Sequence, residues 1–261
     1  MPGPHRLPVL DQDSKVGGII TGRRILEIFL RRRGEAMREE KGISGLLSEI
    51  VGLFCDEAHN LFDQNTPAEA IVRFMTENDI GIIFLTDENV VFRGTINEMM
   101  FLSRMRGQRF GIRGEQIMRD TPTRHTTTPD RPIVEAASRM VDQRVRRLPV
   151  ISSSGQLVGL IAVADVLRNI LDEVQKDDAV SGKLESLVSL KAPVSAIMRK
   201  NPVAIDSRAD IGEAVDLLLE SDISTLMLRS NGKSSGIISR LDIISGLTRH
   251  SGVKALVDLF V

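Results

Sequence analysis

The chain has 261 residues, and 34 basic against 35 acidic side chains give a formal net charge of −1. This balance gives no reason to expect nucleic acid or an anionic membrane as a partner. The single cysteine excludes an intrachain disulfide and is typical of a reducing compartment, so we expect a cytoplasmic protein. No apolar run reaches about 18 residues, which argues against a transmembrane helix. Because Trp and Tyr are absent, a bound nucleobase would have to rest on aliphatic walls.

Four segments of the chain share one pattern: an apolar strand, then a position that holds a hydroxyl or an alanine, then a helix. The segments are 16–26, 90–100, 157–167 and 234–244, and the shared position holds Thr21, Thr95, Ala162 and Ser239. Successive positions are 74, 67 and 77 residues apart. Such a period exceeds that of solenoid repeats and predicts a duplicated small α/β unit.

The repeat divides the chain into four units. They are 1–34 (unit 1, partial), 43–107 (unit 2), 113–175 (unit 3) and 190–250 (unit 4), joined by linkers at 33–42 and 176–183. Unit 1 shows only strands over 5–11 and 16–21 and a helix from residue 22. We therefore expect a truncated start, or a first half that something else supplies.

Unit 4 shows the whole order β-α-β-β-α, and unit 3 repeats it with a possible strand from Thr123 to Thr128. Unit 2 has a helix that opens at Thr66-Pro67-Ala68-Glu69, typical of a capping box, and then two strands and a helix. Unit 3 has a helix from Asp130 and a hairpin over 146–163. Unit 4 has a strand over 202–206, Asp206 or Ser207 as the expected cap of the next helix, an amphipathic helix from Ile211 to Leu219, a hairpin over 225–239 and a final helix.

Three segments of the sequence resemble motifs of a known family. They are Ile197-Met198 with Asn201-Pro202-Val203, then Arg146-Arg147-Leu148-Pro149-Val150, then the run GIISRLDI from Gly236 to Ile243. Together they resemble CBS motifs, named for cystathionine β-synthase, over nearly the whole chain. The resemblance implies an α/β fold in which units 1 and 2 form one Bateman module and units 3 and 4 a second. Each module carries two clefts that commonly bind adenine nucleotides.

The family's binding pattern is a glycine, two apolar residues, Thr or Ser, any two residues and then Asp. The resemblance implies that Ser239 and Asp242 contact ribose and phosphate. A carboxylate can accept hydrogen bonds from both ribose hydroxyls, and a helix start offers N–H groups to phosphate. The alternative is that Ser239 and Asp242 only form a capping box.

The resemblance also implies the other walls of this cleft. Arg146 and Arg147 would hold phosphate as paired guanidiniums, although surface arginines of this kind are also simply solvated. Arg240 would add charge at the mouth. The facing wall would consist of Pro202, Val203 and Ala204.

The remaining clefts depart from the pattern. Asp165 keeps the acid but Ala162 lacks the hydroxyl, which predicts a weaker, nucleoside-like or empty site. Thr95 and Glu98 are a variant of the ribose clamp that fits a capping box better, and the resemblance implies His5 and Arg6 as the phosphate pair of this cleft. Arg24 replaces the acid after Thr21, and a guanidinium cannot accept from ribose, although it could hold an anion.

We therefore expect a non-enzymatic sensor of AMP, ADP or ATP, with no catalytic cofactor. We also expect a homodimer, an unidentified protein partner and no membrane association. The alternatives are a scaffold with vestigial clefts and nucleic-acid binding through arginine clusters, which the near-zero net charge disfavours. Cys55 and His59 lie four residues apart, but no further ligand completes a metal site.

Overall fold

The computed structural model describes residues 6–49, 51–118, 126–176, 187–231 and 233–260. The strands are β1 (Arg6–Leu10), β2 (Val16–Thr21), β3 (Leu61–Asp63), β4 (Ile82–Thr86), β5 (Phe92–Asn97), β6 (Arg147–Ile151), β7 (Leu157–Ala162), β8 (Arg199–Lys200), β9 (Ala204–Asp206), β10 (Thr225–Ser230) and β11 (Lys233–Ser239). The helices are α1 (Gly22–Leu30), α2 (Arg32–Leu47), α3 (Ala68–Glu77), α4 (Glu98–Met105), α5 (Gly114–Ile117), α6 (Ile133–Asp142), α7 (Val163–Lys176), α8 (Val188–Lys191), α9 (Ile211–Glu220), α10 (Arg240–Ser251) and α11 (Lys254–Val257).

Units 2 and 4 have the same sheet. Its middle strand, β4 or β10, pairs in parallel with the strand before the crossover helix and antiparallel with its hairpin partner. The parallel pairing follows from the helical crossover, since a tight turn can join only antiparallel neighbours. The predicted order β-α-β-β-α and the α/β fold class are confirmed.

Units 1 and 3 show parts of this sheet. In unit 3 a single parallel bridge from Thr127 to Val150 takes the place of the leading strand. The hairpin β6–β7 gains β8, which belongs to the segment that leads into unit 4. In unit 1 the described residues supply the hairpin β1–β2 and the helix α1.

Two helix starts differ from the predictions. In unit 2, α3 begins at Ala68, and no side chain caps it, so the capping box at Thr66 is wrong. In unit 4 the cap is Asp210, whose carboxylate accepts a hydrogen bond from the Gly212 amide at 2.7 Å. The charged linker after unit 1 forms the separate helix α2, which kinks at Gly42, where φ is 71°.

Two apolar cores join units from different halves of the chain. In the first, α1 of unit 1 packs against α6 and α7 of unit 3 and buries Leu26 and Phe29 beside Met140. In the second, α4 of unit 2 packs against α9 and α10 of unit 4 and buries Met105 beside Leu218. These amphipathic helices therefore bury their apolar faces across the two halves. No helix within the described residues is both long and apolar enough to cross a membrane.

The close approach of α5 to α10 generates a prediction about Gly246. A Cβ atom at residue 246 would lie 2.4 Å from Cγ2 and 2.8 Å from Cβ of Ile117. We expect Gly246→Ala to lower the free energy of unfolding by about 1–3 kcal/mol through overpacking. Alanine in an uncrowded helix would instead stabilise by about 1 kcal/mol. Urea unfolding followed by circular dichroism measures the difference.

The matched control is Gly94→Ala in β5, where nothing lies within 4 Å of the added carbon. Its free energy of unfolding should stay within about 0.5 kcal/mol of the wild type. Equal urea midpoints for Gly246→Ala and the wild type would contradict the packing described for α10.

Candidate functional site

The start of α10 carries the pair that matches the family pattern best. Ser239 is the N-cap, and its Oγ accepts a hydrogen bond from the Asp242 amide at 3.4 Å. Oδ2 of Asp242 accepts hydrogen bonds from the Ser239 amide at 2.7 Å and from Ser239 Oγ at 2.6 Å. Asp242 is only 4% exposed. The capping box that the spacing allowed is therefore present.

Asp242 also lines a cavity of about 680 Å³, which we call the α10 cavity. Thr248 and Ser245 of the same helix line one wall. Thr76 of α3 in unit 2 contributes to another wall. Ile117 and Met118, from the start of unit 3, contribute apolar surface. Three units therefore meet around one carboxylate.

The facing wall of Pro202, Val203 and Ala204 stays a prediction. These residues are not among the described lining residues of the α10 cavity. The Val203 carbonyl accepts a hydrogen bond from the Met227 amide at 3.0 Å, and Ala204 opens β9. Backbone pairing therefore holds this stretch in the sheet of its own unit.

The segment just before Pro202 lies against unit 3 instead. Arg199 donates a hydrogen bond to Oδ1 of Asp165 at 3.4 Å, and the Ala162 amide donates to Oδ2 at 2.9 Å. Asp165 is 7% exposed. Its carboxylate is thus neutralised by an arginine from the segment that leads into unit 4.

One rule relates these clefts. The leading segment of a unit, meaning the stretch before its first helix, contacts the helix start of the partner unit. Arg199, which follows Ile197-Met198, donates a hydrogen bond to Asp165 of unit 3. Ile117 and Met118 line the cavity that Asp242 of unit 4 also lines. The two Ile-Met pairs are the sequence signal that could have placed Ile117 and Met118 at the site. Residues 119–125, which follow Met118, lie outside the described residues.

The first cleft follows the same rule. Thr21 caps α1 by accepting a hydrogen bond from the Arg24 amide at 3.0 Å. Arg24 Nε lies 3.1 Å from Oδ1 of Asp56, which belongs to the leading segment of unit 2. Arg24 therefore already pairs with an acidic group of the protein. That this cleft does not bind ribose stays a prediction. The adjacent cavity of about 500 Å³ includes Thr21, Arg6 and His59. His5 lies outside the described residues.

No metal centre is evident in the described parts of the chain, where no three His, Cys, Asp or Glu side chains come together. Cys55 lies beyond the short 3₁₀ turn that ends at Phe54, so Cys55 and His59 do not share a helical face. The Cys55 thiol donates a hydrogen bond to the Val51 carbonyl at 3.3 Å. Burial raises the pKa of this thiol, and the Asp56 charge adds to the shift.

The helix start of unit 2 contradicts the predicted capping box. Thr95 lies inside β5, opposite Phe84 of β4. The cap is Asn97, whose Oδ1 accepts a hydrogen bond from the Met99 amide at 3.0 Å. Because β5 continues to Asn97, Glu98 becomes the first helical residue and its side chain is not used in a capping box.

The Glu98 carboxylate instead interacts electrostatically with a group of arginines from the other three units. We call this group the arginine cluster, and its members are Arg6 of unit 1, Arg146 and Arg147 of unit 3, and Arg240 of unit 4. Each interacts electrostatically with the Glu98 carboxylate. The sequence predicted Arg146, Arg147 and Arg240 near one site and Arg6 near Glu98 at another, but no pattern in it indicated that the two sets interact.

Burial makes the charges of this cluster costly. It lowers the pKa of Arg147 to about 10, and the neighbouring charge of Arg146 adds to the shift. Burial also lowers the pKa of Arg240 and of Arg6. Arg147 donates a hydrogen bond to the Ser224 hydroxyl, which links unit 3 to unit 4. Desolvation and mutual repulsion therefore favour the uptake of a negative charge here.

The cost of a buried positive charge is clearest at Arg240. It is 7% exposed, and its Nε donates a hydrogen bond to the Ile223 carbonyl at 3.1 Å. Within the described residues its Nη2 is buried without a hydrogen-bond partner, and Oδ1 of Asp222 lies 3.9 Å away, beyond hydrogen-bond distance. A buried unpaired guanidinium donor is costly, so this position suits an anionic acceptor.

The fold and the helix-start sites define a class of tandem α/β repeat proteins, and comparisons with known proteins agree. The family model for the CBS domain matches residues 115–172 and 194–249. A CBS domain-containing protein of Dictyostelium discoideum is 32% identical over 40% of this chain and 71% of that protein. The chain belongs to the CBS-domain family.

Longer matches extend over nearly the whole chain. An uncharacterized protein in a ribosomal RNA operon of Thermofilum pendens is 23% identical over 97% of this chain and 84% of that protein. A crystal structure of a protein from Methanocaldococcus jannaschii superposes with a TM-score of 0.77 at 19% identity, covering 92% of this chain and 87% of that chain. These likenesses show the fold of all four units.

The capping box generates a stability prediction. We expect Asp242→Ala and Ser239→Ala each to lower the free energy of unfolding by about 1–2 kcal/mol, because each removes hydrogen bonds at a buried helix start. The double variant should lose less than the sum, since both residues serve one box. Urea unfolding of the four proteins measures the coupling. Additive losses would show that the two side chains act separately.

Proposed function

We propose that the protein is a non-catalytic sensor of adenine nucleotides that binds the nucleoside in the α10 cavity and the phosphates at the arginine cluster. One observation carries the proposal. Arg240 is buried in a cluster of positive side chains, and its Nη2 has no hydrogen-bond partner in the part of the chain that the structure describes. A phosphate group would supply the missing acceptor and offset the repulsion among the arginines.

The α10 cavity has a suitable size and lining for a nucleoside. Its volume of about 680 Å³ lies within the range of about 300–1,000 Å³ that is usual for small-molecule sites. Ile117, Met118 and Val253 offer aliphatic surface to a base, and Thr76 and Thr248 offer hydroxyls for hydrogen bonds. Such aliphatic surface would support a base in a chain that has no Trp or Tyr.

Capping and ribose binding are compatible roles for Asp242. A carboxylate has about four lone-pair sites, and both hydrogen bonds from Ser239 go to Oδ2. These bonds hold the carboxylate in a fixed place at the wall of the α10 cavity. A ribose would therefore meet an acceptor that is already positioned, which reduces the entropic cost of binding.

Arg240 and Asp242 belong to the same helix start, although Arg240, Arg146 and Arg147 are not among the described lining residues of the α10 cavity. A ligand that uses both sites would touch side chains of units 2, 3 and 4. Such binding would change the arrangement of the units only if their alternative arrangements bind the ligand with different affinity. The output would be a changed surface for a protein partner. The homodimer and the cytoplasmic location remain predictions of the sequence.

A scaffold with vestigial clefts is the second candidate, and specific contacts favour it. Asp165 pairs with Arg199, Arg24 pairs with Asp56, and Asp242 serves a capping box. Each of these helix-start side chains therefore already stabilises the fold. A scaffold of this kind would gain no stability from any adenine nucleotide.

Ligand-induced thermal stabilisation and calorimetric titration separate the two candidates. We expect ATP or AMP at about 100 times its Kd to add about 2.7 kcal/mol of stability to the wild type. Asp242→Ala and Arg147→Gln should each weaken nucleotide binding by about tenfold or more, since each removes a charged hydrogen-bond partner.

The matched controls are Asp165→Ala, the equivalent acid in the other cleft, and Arg208→Gln, an exposed arginine outside the cluster. Both should bind like the wild type. Equal binding by the wild type and Asp242→Ala would reject this site. The absence of stabilisation by AMP, ADP and ATP alike would favour the scaffold.

A further inference from the structure

We propose that the outer edge of β1, together with its uncovered apolar face, is a docking surface for a strand–helix segment of a separate polypeptide. We call it the β1 surface, and it consists of Arg6–Leu10. Such a segment would complete unit 1 in the way that the first halves of units 2, 3 and 4 complete theirs. The inference does not depend on nucleotide binding.

The chain contains the sequence of this strand twice. Arg-Leu-Pro-Val occupies positions 6–9 in β1 and 147–150 in β6. Each strand pairs antiparallel with the strand that follows it, and each register shifts directly after the valine. The surroundings of β6 therefore show what a partner of β1 would contact.

In unit 3 the outer edge of β6 is occupied. The Thr127 amide donates a hydrogen bond to the Pro149 carbonyl at 3.0 Å, and the Thr127 carbonyl accepts one from the Ile151 amide at 2.8 Å. Proline has no N–H, and this pairing does not need one at Pro149. The equivalent groups of β1 are the Pro8 carbonyl and the Leu10 amide. No strand or bridge of the described residues lies at that edge of β1.

One apolar face of β1 is also uncovered. Its second residue, Leu7, lies opposite an isoleucine of β2, and the equivalent residues Ile83, Leu148 and Leu226 each lie opposite an isoleucine as well. Leu7 is 49% exposed, whereas each of the other three is 0% exposed. In unit 3 the cover comes from the crossover helix α6, whose Met140 shares a core with Leu148. No helix precedes β1 within the described residues.

A second copy of this chain fits the β1 surface poorly. Within the described residues each strand–helix pair already serves its own unit: β3 with α3, Thr127 with α6, and β9 with α9. Two β1 edges related by a two-fold axis would pair antiparallel, and the hydrogen-bonded pairs of that ladder need an N–H from each strand. Pro8, in the middle of β1, supplies none. A strand–helix segment of another protein is therefore the occupant that fits.

Unit 3 also defines the chemistry of this occupant. One extended residue must offer both its N–H and its C=O to β1, as Thr127 does to β6. Arg139 of α6 donates a hydrogen bond to the Thr126 carbonyl at 2.8 Å, so strand and helix are held as one piece. The helix must present small and apolar side chains, since α6 buries Ala137 and Met140. Main-chain hydrogen bonds would give affinity, and the apolar contacts specificity.

The test uses a fluorescent synthetic peptide with the sequence of residues 126–143, titrated into the full chain. We expect saturable binding by fluorescence anisotropy and none with a scrambled peptide. Leu7→Asp places a charge on the uncovered face and should weaken binding by about tenfold or more. Because Leu7 is half exposed, its urea midpoint should stay close to that of the wild type. The matched control is Leu171→Asp on α7, where the leucine is 41% exposed, and it should bind like the wild type.

A second peptide, methylated on the nitrogen that corresponds to Thr127, cannot donate to the Pro8 carbonyl and should bind about fivefold more weakly. Binding of the unmodified peptide should slow hydrogen exchange at the Leu10 amide. Equal binding of the two peptides, or of Leu7→Asp and the wild type, would overturn the proposal. So would a wild-type dimer that Leu7→Asp dissociates, since a second copy then covers β1. A Leu10 amide already protected in the monomer would overturn it too, since the chain then covers its own edge.

Discussion

The packing of helices across the two halves of the chain is the constraint on which the rest of the structure depends. α1 buries Leu26 and Phe29 against unit 3, and α4 buries Met105 against unit 4. These cores join unit 1 to unit 3 and unit 2 to unit 4, and four arginines of units 1, 3 and 4 interact electrostatically with Glu98 of unit 2. Charged side chains that would be solvated in a separate unit are therefore partly buried together, and each then needs a counter-charge or a ligand.

Equivalent positions of the repeat consequently have different chemistry. Asp242 caps its own helix beside a cavity, Asp165 pairs with Arg199, and Glu98 interacts electrostatically with the arginine cluster. The pattern of residues around each position is similar, but the leading segment that reaches it comes from a different unit. A repeat can therefore conserve its fold while its clefts diverge, since the fold depends on apolar periodicity and the chemistry depends on a few facing side chains.

The sequence predicted the strands and helices of unit 4 closely, because these elements follow from apolar periodicity and turn residues that lie near one another in the chain. It also predicted that Ser239 and Asp242 could form a capping box, since a spacing of three residues brings both to one helix start. The same spacing misled at Thr95 and Glu98. There the strand continued to Asn97, and pairing with β4, which periodicity does not reveal, decided where the helix begins.

By itself, then, the sequence determined the repeated α/β units, their order and the helix starts at which polar side chains would gather. Only the tertiary structure decided which side chains come together: Ile117 and Met118 at the α10 cavity, Arg199 at Asp165, and four arginines that interact electrostatically with Glu98. The physical reason is the range of the forces involved. Local hydrogen bonds and periodicity fix each element, whereas the partners of a buried charge depend on how helices from distant parts of the chain pack.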